Sequence, residues 1–470
     1  MLTELLERHW LTLHGALVVL GLTIYVVGSR TLRQRRRPTA AIAWVIALLL
    51  LPYVALPLYM MFGTRKLVDP RQPAGPPPHP ARIPGHPESA EVHLRKLAAA
   101  MSLPSAATYR QLNIHQDGAQ ALQALRDLIE GAAQTLEICT FLIGKDAIGR
   151  EITGRLERRA RAGVRVRLLV DGIGAYLPGL PHFGRLQEAG VQTALFVPPL
   201  RSPLHGRTNL RIHRKMAIAD GEWLWCGGRN LAQEYFDAGP ASAHGAKPWI
   251  DLSIDLRGPL AAQAQQQFAQ DWAFAVEQPG PEAAPAQQAE PPAPRGQLIA
   301  SGPDQADDTL YTFLVSGFFA ARRRVLAVTP YFVPNSTLLM SLALAARRGV
   351  AVDLVMPAKS NHKLADMARH RALRELAAAG ARVWFLPRMI HAKAVVIDDD
   401  LALVGSANLD ERSLFLNYEL MVAFYERAEI ERFAHWIARQ RDASGAYRPR
   451  APGLVRDVAE GLLLWLGFQL

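Results

Sequence analysis

Two long apolar runs open the chain, and after them short apolar stretches alternate with amphipathic ones. From Trp10 to Gly28 nearly every residue is apolar, with His14 the main exception, and from Thr39 to Gly63 the chain is apolar again, interrupted by Pro52 and Pro57. Each run reaches the ~20 residues that a helix needs to cross a bilayer, and both are apolar all round rather than along one stripe. Glu4 and Glu7 ahead of the first run, the lack of a small-residue cleavage site after it and the second run directly behind it all argue against a cleaved signal peptide. The pattern predicts a transmembrane helical hairpin over residues 1–66, with helices at about 10–28 and 39–63. Arg30, Arg33, Arg35, Arg36 and Arg37 lie between the runs; the excess of positive charge on cytoplasmic loops would put them inside and the rest of the chain outside. Arg65, Lys66 and Arg71 pull the other way.

Proline marks the next boundary. Residues 67–92 carry prolines at 70, 73, 76, 77, 78, 80, 84 and 87, a composition that gives an extended spacer. A second Pro/Ala/Gln segment, 278–295, divides the remainder into halves 93–277 and 296–450, with an amphipathic tail at 451–470 that is too short to span. The halves repeat one another. LEICTFLI, a basic helix running into ERRARAGVRVRLLVDG, a helix ending at Gly190 and TALFVP recur as VLAVTPYFV, AARRGVAVDLVMP, a helix ending at Gly380 and RVWFLP. Strands alternating with helices predict an α/β architecture.

The repeat is sharpest where the chemistry is. HRKMAIADGEWLWCGGRN, from His213 to Asn230, aligns without a gap on HAKAVVIDDDLALVGSAN, from His391 to Asn408, at an offset of 178 residues. His, Lys, Asp, Gly and Asn coincide while most apolar neighbours differ, so the polar set is what the repeat preserves. On a strand, residues two apart share a face, which places His213 with Lys215 and His391 with Lys393. Two lobes packed about a pseudo-twofold axis would bring both pairs into one pocket. Two ammonium groups (Lys215, Lys393) and the amides of Asn230 and Asn408, with Ser406, can hold the oxygens of a phosphodiester. One imidazole can attack phosphorus while the other protonates the departing oxygen. The lysines supply the cationic charge, so no metal and no cofactor is expected. Asp220 and Asp398 complete the set but read as braces. Asp251, which opens DLSIDL beyond motif one, and Glu419, which opens ELMVAFY beyond motif two, are the candidate acceptors that orient the histidines, each following its own motif; an insertion around 237–247 accounts for their different spacing. Of the other candidates, His205, Arg211 and Arg388 precede the motif histidines, Arg214 alternates out of the pocket, and Tyr331 and Phe332 could line an entrance.

HxKxxxxD followed by a Gly/Ser turn and Asn resembles the doubled HKD signature of the phospholipase D superfamily. TPYFVP at 329–334, GGRNLAQEYF at 227–236 and GSANLDERSLFLNYE at 405–419 look like bacterial cardiolipin synthases. The resemblance implies two pseudo-symmetric phospholipase D-like α/β/α sandwich lobes sharing one active site behind the membrane hairpin. It implies a multi-pass protein of the bacterial inner membrane, its catalytic body on the periplasmic side if the arginine loop decides. It also implies a reaction: His213 attacks phosphatidylglycerol, a phosphatidyl-histidine forms, and a second phosphatidylglycerol takes the group to give cardiolipin and glycerol, with His391 as acid and base. The alternatives are a phospholipase D-type hydrolase acting on phospholipid or nucleic acid, and a non-catalytic lipid-binding scaffold. The formal charge of +11 favours a polyanionic partner of either kind, but no aromatic–basic stripe suited to single strands is present, and anionic membrane lipids rather than nucleic acid are the expected partners. Cys139 and Cys226 have no metal-ligand spacing and read as small buried side chains.

Overall fold

A computed structural model describes residues 2–31, 38–63, 90–178, 183–198, 208–236, 248–280, 294–305 and 307–453, with 456 and 460. The arginines between the apolar runs from Arg33 onward, most of both proline-rich segments, His205, the insertion at 237–247 and the end of the tail lie outside the described residues. The chain divides into two compact units, one holding the N-terminal helices and the other both repeated halves.

In the N-terminal unit the first apolar run is the helix Leu2–Thr31. The second is not the uninterrupted helix expected over 39–63: it splits into Pro38–Leu50 and Pro52–Phe62. Leu51 sits at φ −135°, ψ 55°, because the Pro52 ring crowds a helical conformation in the residue before it, and Pro52 then starts the next helix, where its missing N–H costs nothing. Thirteen residues of helix rise only ~20 Å, against the ~30 Å of a bilayer core. Among the described residues no helix is long and apolar enough to cross a membrane. The three helices pack through Leu48, Ala55 and Leu56 against Leu22, Ile24 and Tyr25, and His14 Nδ1 meets the Tyr53 hydroxyl at 2.5 Å.

In the second unit each half is built on a sheet of the same order. The first half contributes β1 (Arg110–His115), β2 (Thr135–Thr140), β3 (Arg165–Asp171), β4 (Gln192–Phe196), β5 (Met216–Ala219), β6 (Trp223–Gly227) and β7 (Ser253–Arg257). They lie in the order β1-β7-β6-β5-β2-β3-β4, with β2, β3 and β4 parallel and the others antiparallel. The second half contributes β8 (Arg295–Ser301), β9 (Arg324–Val328), β10 (Ala351–Pro357), β11 (Arg382–Leu386), β12 (Ala394–Ile397), β13 (Leu401–Gly405) and β14 (Asn417–Phe424). Their order, β8-β14-β13-β12-β9-β10-β11, repeats the first, with short edge strands Ala107–Thr108 and Gly445–Ala446 added.

Alternation along these strands feeds two helical layers. Leu136, Ile138, Val166 and Leu168 face the helices Gly118–Gly131 and Ala147–Arg161 in one core, while Arg167, on the other face, lies over the rings of Phe268 and Trp272 in the helix Pro259–Ala275. The result is an α/β/α sandwich, made twice. Gly163 and Gly349, at φ 90° and 86°, end matching helices in the left-handed conformation that a side chain resists. Helix Ala90–Ala100, at the start of the first half in sequence, buries Leu94 and Ala98 in the core of the second.

Candidate active site

Each histidine lies just before a strand of its own half and is fixed by the opposite half. Arg211–Ile212 pairs in parallel with Asn417–Tyr418, and the His213 N–H donates to the Tyr418 carbonyl at 2.9 Å. Reciprocally, Ile250 bridges Ile390, and the His391 N–H donates to the Ile250 carbonyl at 2.7 Å. The residue after each acceptor is a carboxylate. Glu419 Oε1 therefore lies 2.9 Å from His213 Nδ1, and Asp251 Oδ2 lies 2.8 Å from His391 Nδ1. Each expected acceptor thus lies against the histidine of the other half and not that of the motif it follows, because the backbone ahead of it pairs with the partner motif.

The lysines sit beside their own histidines. Lys215 Nζ donates to the His213 carbonyl at 2.7 Å, and Lys393 Nζ lies 2.8 and 2.9 Å from the two ring nitrogens of His391. Lys215, His391 and Lys393 are buried and His213 is mostly so, and burial dominates their protonation. It pushes His213 down to about 4 and His391 to about 3, opposed by the carboxylates. It also lowers Lys215 to about 7 and Lys393 to about 8. The Lys393 charge further disfavours protonation of His213, and the Lys215 charge that of His391, so the two motifs share one electrostatic pocket. Glu419 and Asp251 stay below the usual carboxylate range: their partners outweigh the burial that would raise them.

The remaining motif residues divide. Asn230 Nδ2 donates to the Tyr235 hydroxyl at 2.8 Å, and the side-chain oxygens of Asn230 and Asn408 are buried without a hydrogen-bond partner. Ser406, expected among the phosphate ligands, instead gives its hydroxyl to Glu419 Oε2 at 2.5 Å. Gly228 occupies the matching position in motif one, where a Cβ would collide with Asp251. Asp220 and Asp398, grouped by sequence with the catalytic set, are spent on backbone: each accepts three N–H groups, from Ala133, Gln134 and Thr135 and from Arg322, Arg323 and Arg324. Both sit at positive φ in the turn after the motif strand, a conformation Asp tolerates better than most residues.

Residues 125–272 and 314–441 match the profile of the "Cardiolipin synthase, PLD-like domain" family, one repeat on each half, and residues 18–63 match a phospholipase D-nuclease N-terminal profile. The chain belongs to this cardiolipin synthase family. Cardiolipin synthase A of Pseudomonas aeruginosa is 33% identical over 431 residues, 87% of this chain and 86% of that protein. Cardiolipin synthase A of Pseudomonas entomophila is 31% identical over 434 residues, 88% of each. The crystal structure of phosphatidylserine synthase from Haemophilus influenzae superposes with a TM-score of 0.63 at 16% identity, covering 81% of this chain and 99% of that one, a likeness of fold.

Beyond the family signature the site recruits aromatic rings that periodicity does not reveal. Phe141, just after β2, packs edge-on against His213 at 5.6 Å. Tyr235 and Trp249 lie 5.1 and 5.6 Å from His391. Arg214 is fully buried, ion-paired with Asp271 and donating to the Glu419 carbonyl at 3.0 Å; it is outside the pocket, as its alternation predicts, and it supports the strand that carries Glu419. Arg211 pairs with Asp171 at 3.2 Å, Arg388 donates to the Pro248 carbonyl, and Phe332 is buried in the core. Cys139 and Cys226 are buried free thiols. Among the described residues no cluster of three or more His, Cys, Asp or Glu side chains is arranged to hold a metal.

Proposed function

We propose that the chain is a membrane-bound phosphatidyltransferase that uses one phosphatidylglycerol as donor and a second as acceptor, giving cardiolipin and glycerol. The observation that carries the chemistry is the crossed pair of histidine–carboxylate contacts, with two buried lysines between them. A carboxylate on each Nδ1 fixes the tautomer and leaves Nε2 for reaction. His213 Nε2 attacks phosphorus as the P–O bond to glycerol breaks, and His391 gives its proton to the leaving oxygen. The acceptor hydroxyl then returns a proton to His391 as its oxygen attacks phosphorus and expels His213. His213 suits the nucleophile's part: its side chain is 14% exposed against 5% for His391, and its lysine is turned to its carbonyl rather than its ring.

Burial leaves both imidazoles neutral in the empty pocket. An arriving phosphodiester brings negative charge, which favours the imidazolium and both ammonium forms, so the acid and the cations are recharged by the substrate that needs them. Asn230 and Asn408 donate to its oxygens through the N–H groups of their side-chain amides.

The N-terminal helices anchor the chain in the bacterial inner membrane as a hairpin, and the pocket opens to the periplasmic side. Their all-round apolar character and the profile match over 18–63 support the anchor, and the arginine-rich stretch between the runs supports the sidedness.

The test is to incubate purified protein with phosphatidylglycerol and identify the lipids by mass spectrometry, with His213→Ala and His391→Ala alongside. Cardiolipin and glycerol, lost in both variants, are the expected result. Phosphatidic acid as the main product would overturn it in favour of a hydrolase.

A further inference from the structure

The ends of the parallel strands also carry exposed apolar side chains, once in each half. After β3, Asp171 accepts the backbone N–H of Ile212, the neighbour of His213, at 2.9 Å. The short helix Gly172–Tyr176 starts there, and Gly174 packs it so closely on Phe141 that a Cβ would strike the Phe141 carbonyl. Phe141 is the ring against His213. This helix ends in Tyr176 and Leu177, which are 48% and 68% exposed. Lys145, exposed, follows β2 at the same end of the sheet.

The second half repeats the arrangement after β10. The Tyr331 hydroxyl donates to Asn361 at 2.5 Å, its ring lies 6.1 Å from His362, and Ala365 and Ala368 of helix Lys363–Ala378 rest on Val333 and Tyr331. The outward side of that helix presents Leu364 and Met367, 46% and 47% exposed, between exposed Lys359, Lys363 and Arg371. The acidic residue of the first turn, Asp366, is paired with Arg369 at 3.0 Å.

We infer that these two tips, Tyr176–Leu177 and Leu364–Met367, form a bilateral docking rim that seats the pocket on an anionic lipid bilayer. Apolar side chains flanked by lysine and arginine suit the boundary between headgroups and acyl chains of acidic lipid. A rim on both sides of the histidines would hold the mouth at headgroup depth, where a phosphodiester can enter while its acyl chains stay in the membrane. The inference rests on the lipid substrate proposed above, and goes beyond the N-terminal anchor by giving the catalytic body its own contact with the bilayer.

The test uses the full chain in nanodiscs containing phosphatidylglycerol. Both native cysteines are buried, so Leu177→Cys, Leu364→Cys and Ala162→Cys (at the opposite end of β3) can each take a nitroxide label at the new thiol. At 177 and 364 the label should collide more with oxygen, which partitions into lipid, than with a water-soluble nickel chelate; at 162 the reverse should hold. Equal nickel access at all three positions would overturn the inference, as would label immobilisation at 177 and 364 that is unchanged in detergent, the sign of a second protein copy. A Leu177→Glu, Leu364→Glu double variant should lose at least tenfold more turnover on bilayer phosphatidylglycerol than on a monomeric short-chain form; equal losses would contradict docking. If wild-type protein turns over neither form, the proposed reaction fails, and the label depths still decide the rim.

Discussion

His213 Nδ1 lies 2.9 Å from Glu419 Oε1, across the boundary between the two halves of the chain. With the matching contact between His391 and Asp251 at 2.8 Å, it leaves neither half with a complete histidine–carboxylate unit of its own. The crossing follows from the backbone: Arg211–Ile212 ahead of His213 pairs with Asn417–Tyr418 ahead of Glu419, and Ile390 ahead of His391 bridges Ile250 ahead of Asp251.

Removing the charge but keeping the shape of either carboxylate should disable the histidine opposite. Glu419→Gln and Asp251→Asn are each expected to lower kcat by about 10²–10⁴-fold, the range of a lost acid or base. KM for phosphatidylglycerol should move far less. Because the pair acts as a unit, Glu419→Gln combined with His213→Ala should be scarcely worse than His213→Ala alone. Steady-state kinetics of the three variants check this; additive losses would separate the two residues.

Gly228→Ser makes motif one match motif two, and symmetry alone would make it harmless. The structure says otherwise. Ser406 fits because Glu419 reaches its histidine from farther back and accepts the hydroxyl. The shorter Asp251 occupies the space a Cβ at 228 would need. The variant should displace Asp251 and cost about 10–100-fold in activity, the usual effect of disturbing such a supporting contact, whereas Ser406→Gly should cost less. Activity at or above wild type in Gly228→Ser would contradict this packing.

Much of this was legible before any coordinates. The repeat of the halves and the polar set His213, Lys215, Asn230, His391, Lys393 and Asn408 follow from aligning the chain with itself, since a repeat that keeps mainly polar residues exposes its chemistry. The crossed carboxylates were not legible, because spacing ties Asp251 and Glu419 to the motif they follow while pairing across halves is a tertiary event. The contact of Ser406 with Glu419 was not legible for the same reason: a hydroxyl beside a pocket reads as a ligand until its acceptor is known. Trp249 follows an insertion with no period to place it, and the break at Leu51 needed the local rule for a residue before proline to outweigh a continuous apolar pattern.

Asp220 and Asp398 should act on stability rather than chemistry. Asp398 is 3% exposed and holds three part-buried backbone N–H groups, so Asp398→Ala is expected to cost about 1–3 kcal/mol by leaving those donors unpaired. Asp220 makes the same contacts from an exposed position, where water can replace it, and its alanine variant should cost less. Thermal unfolding orders the two; kcat of the folded fraction should stay near wild type in both.

The pocket lysines set the alkaline limit. Burial lowers Lys215 to about 7 and Lys393 to about 8, so their charge is lost as pH rises through that window, and with it the attraction for a phosphodiester. His213 gains its proton only below about 4, so the proposed nucleophile stays neutral through mildly acidic solution. Binding of a non-reacting phosphodiester analogue, which needs both ammonium groups but no proton on His391, should therefore weaken on the alkaline side between about 7 and 8. Lys215→Arg, with a guanidinium that keeps its charge, should shift that limb upward. A limb near the ordinary lysine value of ~10.4 would mean that the lysines are solvated in solution.

The central claim, phosphatidyl transfer through a histidine oriented by the opposite half, is tested most directly by catching the covalent intermediate. The protein would be quenched during turnover with phosphatidylglycerol and its peptides mapped by mass spectrometry, with Glu419→Gln alongside. A phosphatidyl adduct on His213, strongly diminished in Glu419→Gln, is the expected result; an adduct on His391, or an undiminished adduct on His213 in Glu419→Gln, would contradict the account.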